Sequence, residues 1–382
     1  MGTCKFCGRN DNFISSVLEI CRDCILSQKW SIVKSHVLSI HKKVRQLEEL
    51  PEAPPKADSN IKLKCNFCLN ECSLSENELS NISYCGLRNI NKNESGELPF
   101  PTRNEGYIHG YIDANPTNCC NSWFCPAGSS NGYPAFSVTN GPEYGTYSYA
   151  AFLYGCSFNC LFCQNWSHKR IIRQHLNDIE TLANQIVKNK KITCLCYFGG
   201  TPEAQLPFSI NLARTILDKI KKSGENRIFR ICWEWNGSGN PKLVEKCMEI
   251  AIKTGGNIKF DLKSYNEKLN LALCGVSNRR TFENFKFLAE NYYGKRGKEM
   301  PEMSACTLMV PGYVNHEEVE QIAKFVSELN SEIPYSLLVF HGDYQMRDLP
   351  ITPRKQAEKC LEVAKNYLQR VNLGNKFLLG FS

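Results

Sequence analysis

Hydrophobic residues follow two alternating patterns in the second half of the chain. Six short runs rich in β-branched and aromatic residues, each bounded by Gly, Pro or Asn, are typical of buried strands; they cover residues 147–154, 192–198, 227–235, 257–262, 304–310 and 336–340. Segments with the apolar spacing of helices lie between them, for example 210–222, 242–253, 281–291, 317–329 and 354–369. This alternation predicts an α/β fold with a parallel sheet and crossover helices, which is compatible with a partial barrel or a doubly wound sheet.

The first half of the chain has a different organisation. A loose apolar stripe predicts a helix over residues 25–50, and the Pro-rich segment 51–60 breaks it as a linker. We therefore predict a Cys-rich knuckle with a helix in residues 1–50, a linker in 51–60, a second Cys-rich region in 61–146 and an α/β core in 147–382.

Composition and charge narrow the class of protein. The chain has 382 residues, 42% of them hydrophobic and 22% charged, as in an ordinary globular protein. No apolar run approaches the ~18 residues of a membrane span, and the first residues lack the apolar core of an export signal, so we expect a cytoplasmic location. The net charge of +8 is spread over the chain and gives no strong indication of nucleic-acid binding.

Twenty-one cysteines dominate the candidate chemistry, and many of them stand in C-x2-C pairs. Without an export signal, thiols at this spacing indicate metal binding more than disulfides. The first two pairs predict one closed four-thiolate site, with zinc favoured over mononuclear iron; its ligands are Cys4, Cys7, Cys21 and Cys24. So many thiols also indicate a reducing or anaerobic cell.

A second group of four cysteines follows the linker. Four thiolates suffice for either zinc or an accessory cluster; they come from Cys65, Cys68, Cys72 and Cys85. Three further cysteines, Cys119, Cys120 and Cys125, could bind another cluster or simply pack near the site, and the sequence leaves both readings open.

The most specific motif is C-x3-C-x2-C, formed by Cys156, Cys160 and Cys163 after the first predicted strand. A [4Fe–4S] cube has four irons, so three thiolates leave one iron free to bind something else. The alternative is a zinc loop whose fourth ligand is a nearby polar side chain.

This motif resembles that of the radical S-adenosylmethionine (SAM) superfamily. The branch similar to pyruvate formate-lyase activating enzyme matches best, and the resemblance extends over roughly residues 61–375. It implies a (β/α)6 partial barrel in which the three cysteines hold a [4Fe–4S] cluster whose open iron chelates SAM. It also implies that SAM lies against Phe162, Gly199, Gly200, Asp261, Lys263 and His341. The resemblance also implies that Glu234 lies near SAM, on a weaker match to the family.

The resemblance implies an oxidoreductase that receives an electron from a flavodoxin- or ferredoxin-type donor and cleaves SAM reductively. The resulting 5'-deoxyadenosyl radical takes a hydrogen atom from a substrate, for which activases favour a glycine in a partner protein. Modification of a small molecule, a lipid or another macromolecule is the second hypothesis. A non-catalytic, metal-stabilised binding protein is the third.

Overall fold

The computed structural model describes residues 1–76, 80–90, 100–170 and 175–380, and one large sheet dominates it. Its strands run in the spatial order β14-β13-β12-β11-β10-β9-β7-β6. All strand bounds, in chain order from β1 to β14, are Gly2–Thr3, Asn10–Asp11, Leu63–Lys64, Ser73–Leu74, Glu105–Gly106, Ile108–Ala114, Tyr147–Leu153, Asn177–Asp178, Ile192–Gly199, Arg230–Trp235, Ile258–Asp261, Met303–Met309, Tyr335–Val339 and Val371–Gly374.

Seven neighbouring strands of this sheet are parallel, and only β6 at one edge is antiparallel to its neighbour β7. The two edge strands as described, β6 and β14, do not pair with each other, but residues of both line one cavity, so the sheet curls into an open barrel. The predicted α/β partial barrel is confirmed. The six predicted strands correspond to β7 and β9–β13, while β6 and β14 were not predicted.

Nine helices are described within these residues. In chain order from α1 to α9 they span Arg22–Ser27, Trp30–Leu47, Ile179–Lys188, Leu206–Lys222, Pro241–Thr254, Glu267–Cys274, Arg279–Tyr292, His316–Leu329 and Arg354–Lys365. The predicted helix over 25–50 is in fact two, α1 and α2, because Gln28 and Lys29 leave the helical conformation. The buried stripe of α2 runs through Val33, Val37, Ile40 and Val44, whereas Ile32 and Leu47 are exposed.

The two faces of the sheet have opposite character because side chains alternate along a strand. Residues that point outward pack under the helices and form the main apolar core, as Leu195, Trp233 and Phe260 do. Residues of the other parity point into the barrel and include thiols and charges, as Cys196, Glu234 and Lys259 do. The outer face therefore holds the barrel together, and the inner face is available for chemistry.

Residues 115–146 fold back between β6 and β7 and close the amino-terminal end of the barrel. Glu143 and Arg230 form a buried ion pair there, with 2.6 Å between Oε2 and Nη2. Arg230 also donates to the Phe136 carbonyl, at 2.6 Å. Residues 115–146 thus form the floor of the barrel. Separating the buried ion pair would leave an unpaired charge at a high cost in free energy, so the pair holds this floor against β10.

The N-terminal region packs against the helices of the barrel. The Tyr313 hydroxyl donates to the Ile20 carbonyl and accepts from the Ser15 amide, both at 3.0 Å. His41 on α2 contacts the Ala272 carbonyl of α6 at 3.1 Å. Across the residues the structure describes, no helix is long and apolar enough to cross a membrane.

Candidate active site

A cavity of about 640 Å³ opens at the carboxyl ends of the parallel strands. The cysteines of the C-x3-C-x2-C motif, the charged ends of β10 and β11, and both edge strands line it. Tyr111 of β6 and Asn372 of β14 stand on its two sides, so the cavity reaches the gap where the sheet does not close. The position agrees with the general rule that sites of such barrels lie at the carboxyl ends of strands.

The three motif cysteines lie on the loop that follows β7, and all three line the cavity. The Phe158 amide lies 3.4 Å from the Cys156 sulfur, and the Asn236 side-chain amide lies 3.5 Å from it. Such N–H groups stabilise a thiolate. Burial raises the pKa of Cys156 to about 12, so a bound metal would have to displace its proton.

Positive charge surrounds this loop. Lys169 is buried, donates to the Asn159 side chain at 2.9 Å and lies over the Tyr344 ring. Lys263 faces the loop from the strand side of the cavity. A cluster held by three thiolates is anionic, and two nearby ammonium groups offset part of that charge. The residues present therefore fit a [4Fe–4S] cluster, which Cys156, Cys160 and Cys163 would hold at the cavity wall.

A fourth thiol, which the sequence motif does not reveal, contacts this loop from behind. The Cys274 sulfur at the end of α6 is within hydrogen-bonding reach of Cys160. Cys274 is fully buried and is not among the residues that line the cavity. It supports the loop from the protein interior and leaves the cavity side open.

Close packing requires glycine at both Gly199 and Gly200, where β9 ends. A Cβ at Gly200 would lie 1.7 Å from the Leu153 carbonyl oxygen of β7, and its φ of +66° also disfavours other residues. A Cβ at Gly199 would lie 2.3 Å from the Phe152 ring. Gly200 lines the cavity and Gly199 does not. The pair brings the β9 backbone against the strand that carries the cluster loop.

Glu203, three residues beyond Gly200, is fully buried. Its Oε1 accepts a hydrogen bond from the Ser238 amide at 2.9 Å, and its Oε2 has no hydrogen-bond partner among the described residues. Burial raises the pKa of Glu203 to about 7. It does not line the cavity, whereas Gly200 does.

Four charged side chains form one chain of ion pairs across β10 and β11. Glu234 lies 2.8 Å from Lys259, Lys259 lies 2.9 Å from Asp261, and Asp261 lies 3.0 Å from Lys263. Burial would raise the pKa of Asp261, but the two lysines outweigh it and hold the pKa at about 2. Burial raises the pKa of Glu234 to about 7, with Lys259 opposing it.

Lys259 is the member of this chain that sequence reasoning missed. It has the same inward parity as Asp261 and Lys263, so the alternation Lys-x-Asp-x-Lys could have revealed it. The lysine gives Asp261 and Glu234 a shared partner and leaves the four charges balanced.

Aromatic side chains form the remaining wall. Phe162 and His341 both line the cavity, from the cluster loop and from the segment after β13. Phe152 stacks between Tyr111 and Phe198, with ring centroids 5.8 Å and 6.1 Å apart. These flat apolar surfaces suit a planar ring in the ligand.

The N-terminal cysteine group has the dimensions of a single-ion site. Its four sulfurs all lie within 4.8 Å of one another. Cys7 and Cys21 are separated by 3.9 Å between sulfurs. A tetrahedral ion with metal–sulfur bonds of about 2.3 Å needs a separation of about 3.8 Å.

The second group, Cys65 to Cys85, is buried but more widely spaced. Among the described residues, no three of its sulfurs lie within 4.8 Å of one another. The sulfurs still influence one another electrostatically, with Arg88 close to Cys65. Among the described residues, Cys156, Cys160 and Cys163 likewise form no such compact group, and a wider spacing suits thiolates that bind separate irons of a cluster.

Fold and site together define an α/β partial-barrel enzyme with a three-thiolate cluster loop. Residues 151–326 match the Radical SAM superfamily model. The chain thus carries a radical SAM domain and is an enzyme of that type, which confirms the resemblance drawn from its cysteine motif. The matched segment includes the cluster loop, the glycine pair and the charged ends of β10 and β11.

Relatives by sequence carry activating-enzyme names. A protein of Methanocaldococcus jannaschii, named a putative glycyl-radical enzyme activating enzyme, is 24% identical over 225 residues, or 59% of this chain and 79% of the relative. The pyruvate formate-lyase 1-activating enzyme of Escherichia coli is 22% identical over 194 residues, or 50% of this chain and 74% of the relative. About two-fifths of this chain is unmatched in the first of these relatives.

Similar solved structures are more distant. A domain of a pyruvate-formate lyase-activating enzyme from Bacteroides vulgatus is 16% identical with a TM-score of 0.34, and the match covers 44% of this chain and 94% of that one. SuiB of Streptococcus suis, solved bound to S-adenosylmethionine, is 15% identical with a TM-score of 0.41, and the match covers 58% and 47%.

Proposed function

We propose that this enzyme cleaves SAM reductively and uses the product radical to take a hydrogen atom from a glycine in a partner protein. The observation that carries the proposal is the cluster loop: three cysteines face a large cavity, and the fourth thiol nearby is buried behind them. When bound, the cluster and SAM supply the electron and the 5'-deoxyadenosyl radical.

The chain's own residues bind and orient the ligands. Gly200 gives the ligand access to the β9 backbone, and Gly199 supports it by leaving room for Phe152. Lys263 and Asp261 offer a cation and an anion to the carboxylate and amino groups of SAM. Phe162 and His341 offer flat surfaces for its adenosine.

Protein purified and reconstituted without oxygen, then given SAM and dithionite, tests the first step. We expect 5'-deoxyadenosine from the wild type and at least a thousandfold less from a variant with Cys156, Cys160 and Cys163 all changed to Ala. Cys360→Ser is the matched control, because this thiol is buried on α9 outside the barrel. Undiminished 5'-deoxyadenosine from the triple variant would contradict the cluster assignment.

The choice of a protein glycine is supported by the names of the sequence relatives. A glycine-containing peptide with two deuteriums on the α-carbon provides a direct test. We expect deuterium in the 5'-deoxyadenosine, and none when a deuterated alanine peptide replaces it. Formation of 5'-deoxyadenosine without deuterium from any glycine peptide would favour the second candidate.

That second candidate is a stable modification of a small molecule, a lipid or another macromolecule. The additional cysteine groups favour it, because hydrogen abstraction from glycine needs only the one cluster. In that case a covalently changed product accumulates in step with 5'-deoxyadenosine, and mass spectrometry of cell extract incubated with the enzyme would detect it.

We also propose metals for the two N-terminal groups. The compact spacing of Cys4, Cys7, Cys21 and Cys24 supports a single zinc ion. The wider spacing of Cys65, Cys68, Cys72 and Cys85 supports an accessory iron–sulfur cluster. The electron comes from an external flavodoxin- or ferredoxin-type donor.

A further inference from the structure

A separate group of side chains lies deeper in the barrel, where the floor segment meets β10. The sulfurs of Cys119 and Cys120 and one carboxylate oxygen of Glu234 all lie within 4.8 Å of one another. Cys119 is 2.9 Å from Glu234 Oε1. All three residues line the large cavity.

We propose that Cys119, Cys120 and Glu234 bind a divalent zinc-class ion with one coordination position open to the cavity. Two thiolates and one carboxylate form a donor set that soft-to-borderline ions such as Zn²⁺ prefer. Three protein ligands with a free fourth position are characteristic of ions that bind water or substrate. The free position faces the cavity that the cluster loop also lines.

Neighbouring groups hold these ligands in place. The Asn121 amide is 3.3 Å from the Cys119 sulfur, and Ser336 donates to the Cys120 carbonyl at 2.9 Å. The Asn121 side chain donates in turn to Asn257 at 2.8 Å. The short loop is thus tied to the strands, and such supporting contacts orient metal ligands.

The charges of the neighbouring side chains would balance that of a bound ion. Glu234 offers Oε1 to the ion, while its Oε2 is 2.8 Å from the Lys259 ammonium. Two thiolates and a carboxylate carry three negative charges, which the divalent ion and Lys259 balance. Asp261 and Lys263 neutralise each other beside them. A buried set without a net charge avoids the desolvation cost of an unpaired ion.

Binding requires both thiols to lose their protons, so the balanced step takes up one divalent ion and releases two protons to solvent. No electron is transferred. The open position would hold an oxygen, nitrogen or sulfur donor of the substrate and so fix the substrate in the cavity shared with the cluster loop. The site does not depend on SAM cleavage, so it stands or fails separately from the proposed function.

Cobalt(II) titration of the anaerobically purified protein, with zinc and iron counted per chain, tests the site. The test variant carries Cys119→Ser and Cys120→Ser, and the matched control is Cys125→Ser, a thiol in the same loop outside the group. We expect wild type and control to bind one more divalent ion than the double variant, with a thiolate-to-cobalt charge-transfer band that is weaker in the double variant by the contribution of two thiolates.

Glu234→Gln keeps the size of the side chain and guards against misfolding of the double variant. We expect it to retain the cluster absorbance while cobalt affinity falls at least tenfold. An equal number of bound ions in wild type and double variant, or an unchanged affinity in Glu234→Gln, would overturn the proposal and leave a thiol–carboxylate hydrogen bond.

Discussion

Two groups of four cysteines precede the barrel, and they hold their sulfurs at different spacings. The N-terminal group is compact, with 3.9 Å between the sulfurs of Cys7 and Cys21. The group from Cys65 to Cys85 is more open, although its cysteines are buried. Equal numbers of thiols therefore need not imply the same metal: the compact group fits one ion, and the open group fits a cluster.

The two groups also differ in what they touch. The compact group belongs to the region that packs on α6 and the segment before α8, through Tyr313 and His41. The open group contacts the C-x3-C-x2-C loop itself, because the Asn70 side chain donates to the Ser157 carbonyl at 2.8 Å. The Leu69 amide donates to the Ser238 carbonyl at 2.9 Å. The first group supports the fold from outside, whereas the second lies directly against the loop of Cys156, Cys160 and Cys163.

Removing a ligand from the open group should have the largest effect on metal content. We expect Cys68→Ser to lose about four irons and their sulfide per chain, because one missing ligand destabilises a whole cluster. Iron, sulfide and zinc analysis provides the measurement, and Cys247→Ser on α5 is the control. Loss of one zinc with unchanged iron would show that the two groups do not differ.

Removing a ligand from the compact group should cost one metal atom and local folding. We expect Cys24→Ser to lose one zinc per chain while iron stays constant, because structural zinc supplies much of the folding energy of so small a segment. Proteolysis within residues 1–24 should become faster. Iron lost together with the zinc would make the two groups interdependent.

Substitution of Glu203 tests the segment around Ser238. Glu203 accepts from the Ser238 amide, and the Leu69 amide of the open group donates to the Ser238 carbonyl. The pKa of Glu203 is raised by burial to about 7, so between pH ~4.5 and 7 the folded protein keeps a proton that the unfolded chain has lost. Stability therefore falls with rising pH in this window, by about 3 kcal/mol. Glu203→Gln should remove this dependence.

Thermal melting at pH 5 and pH 8 measures the effect. The variant should gain melting temperature relative to wild type at pH 8, with little change at pH 5, and the exposed Glu299→Gln should change neither value. An equal pH dependence in Glu203→Gln and wild type would show that Glu203 does not carry it.

Asn70→Ala should have the smallest effect. The substitution leaves the buried Ser157 carbonyl without its donor, which costs about 1–3 kcal/mol. We expect a lower melting temperature and an altered spectrum of the catalytic cluster, with full zinc content in the compact group. The exposed Asn291→Ala is the control, and an unchanged cluster spectrum would mean that the contact between the loops has no influence.

The sequence predicted the central strands well because they are buried between helices and barrel interior. It missed β6 because His109, Tyr111 and Ile112 are partly or largely exposed, so this edge strand lacks a continuous apolar run. It missed β14 because only Val371–Gly374 pair, and all four residues are half-buried.

Only the part of the site whose residues lie close together in the sequence could be predicted. The cluster loop is one continuous motif, so its cysteines could be read directly from the chain. The neighbourhood of Cys119 and Glu234 could not, because 115 positions separate them and only the folding of the floor segment into the barrel brings them together.

The floor formed by residues 115–146 affects where molecules can enter and leave the cavity. Among the described residues, the Glu143–Arg230 pair helps to close the far end, and the cavity opens at the carboxyl ends of the strands, beside the unpaired strand edges. A large molecule bound at this opening would therefore slow the exit of a smaller molecule bound deeper in the cavity.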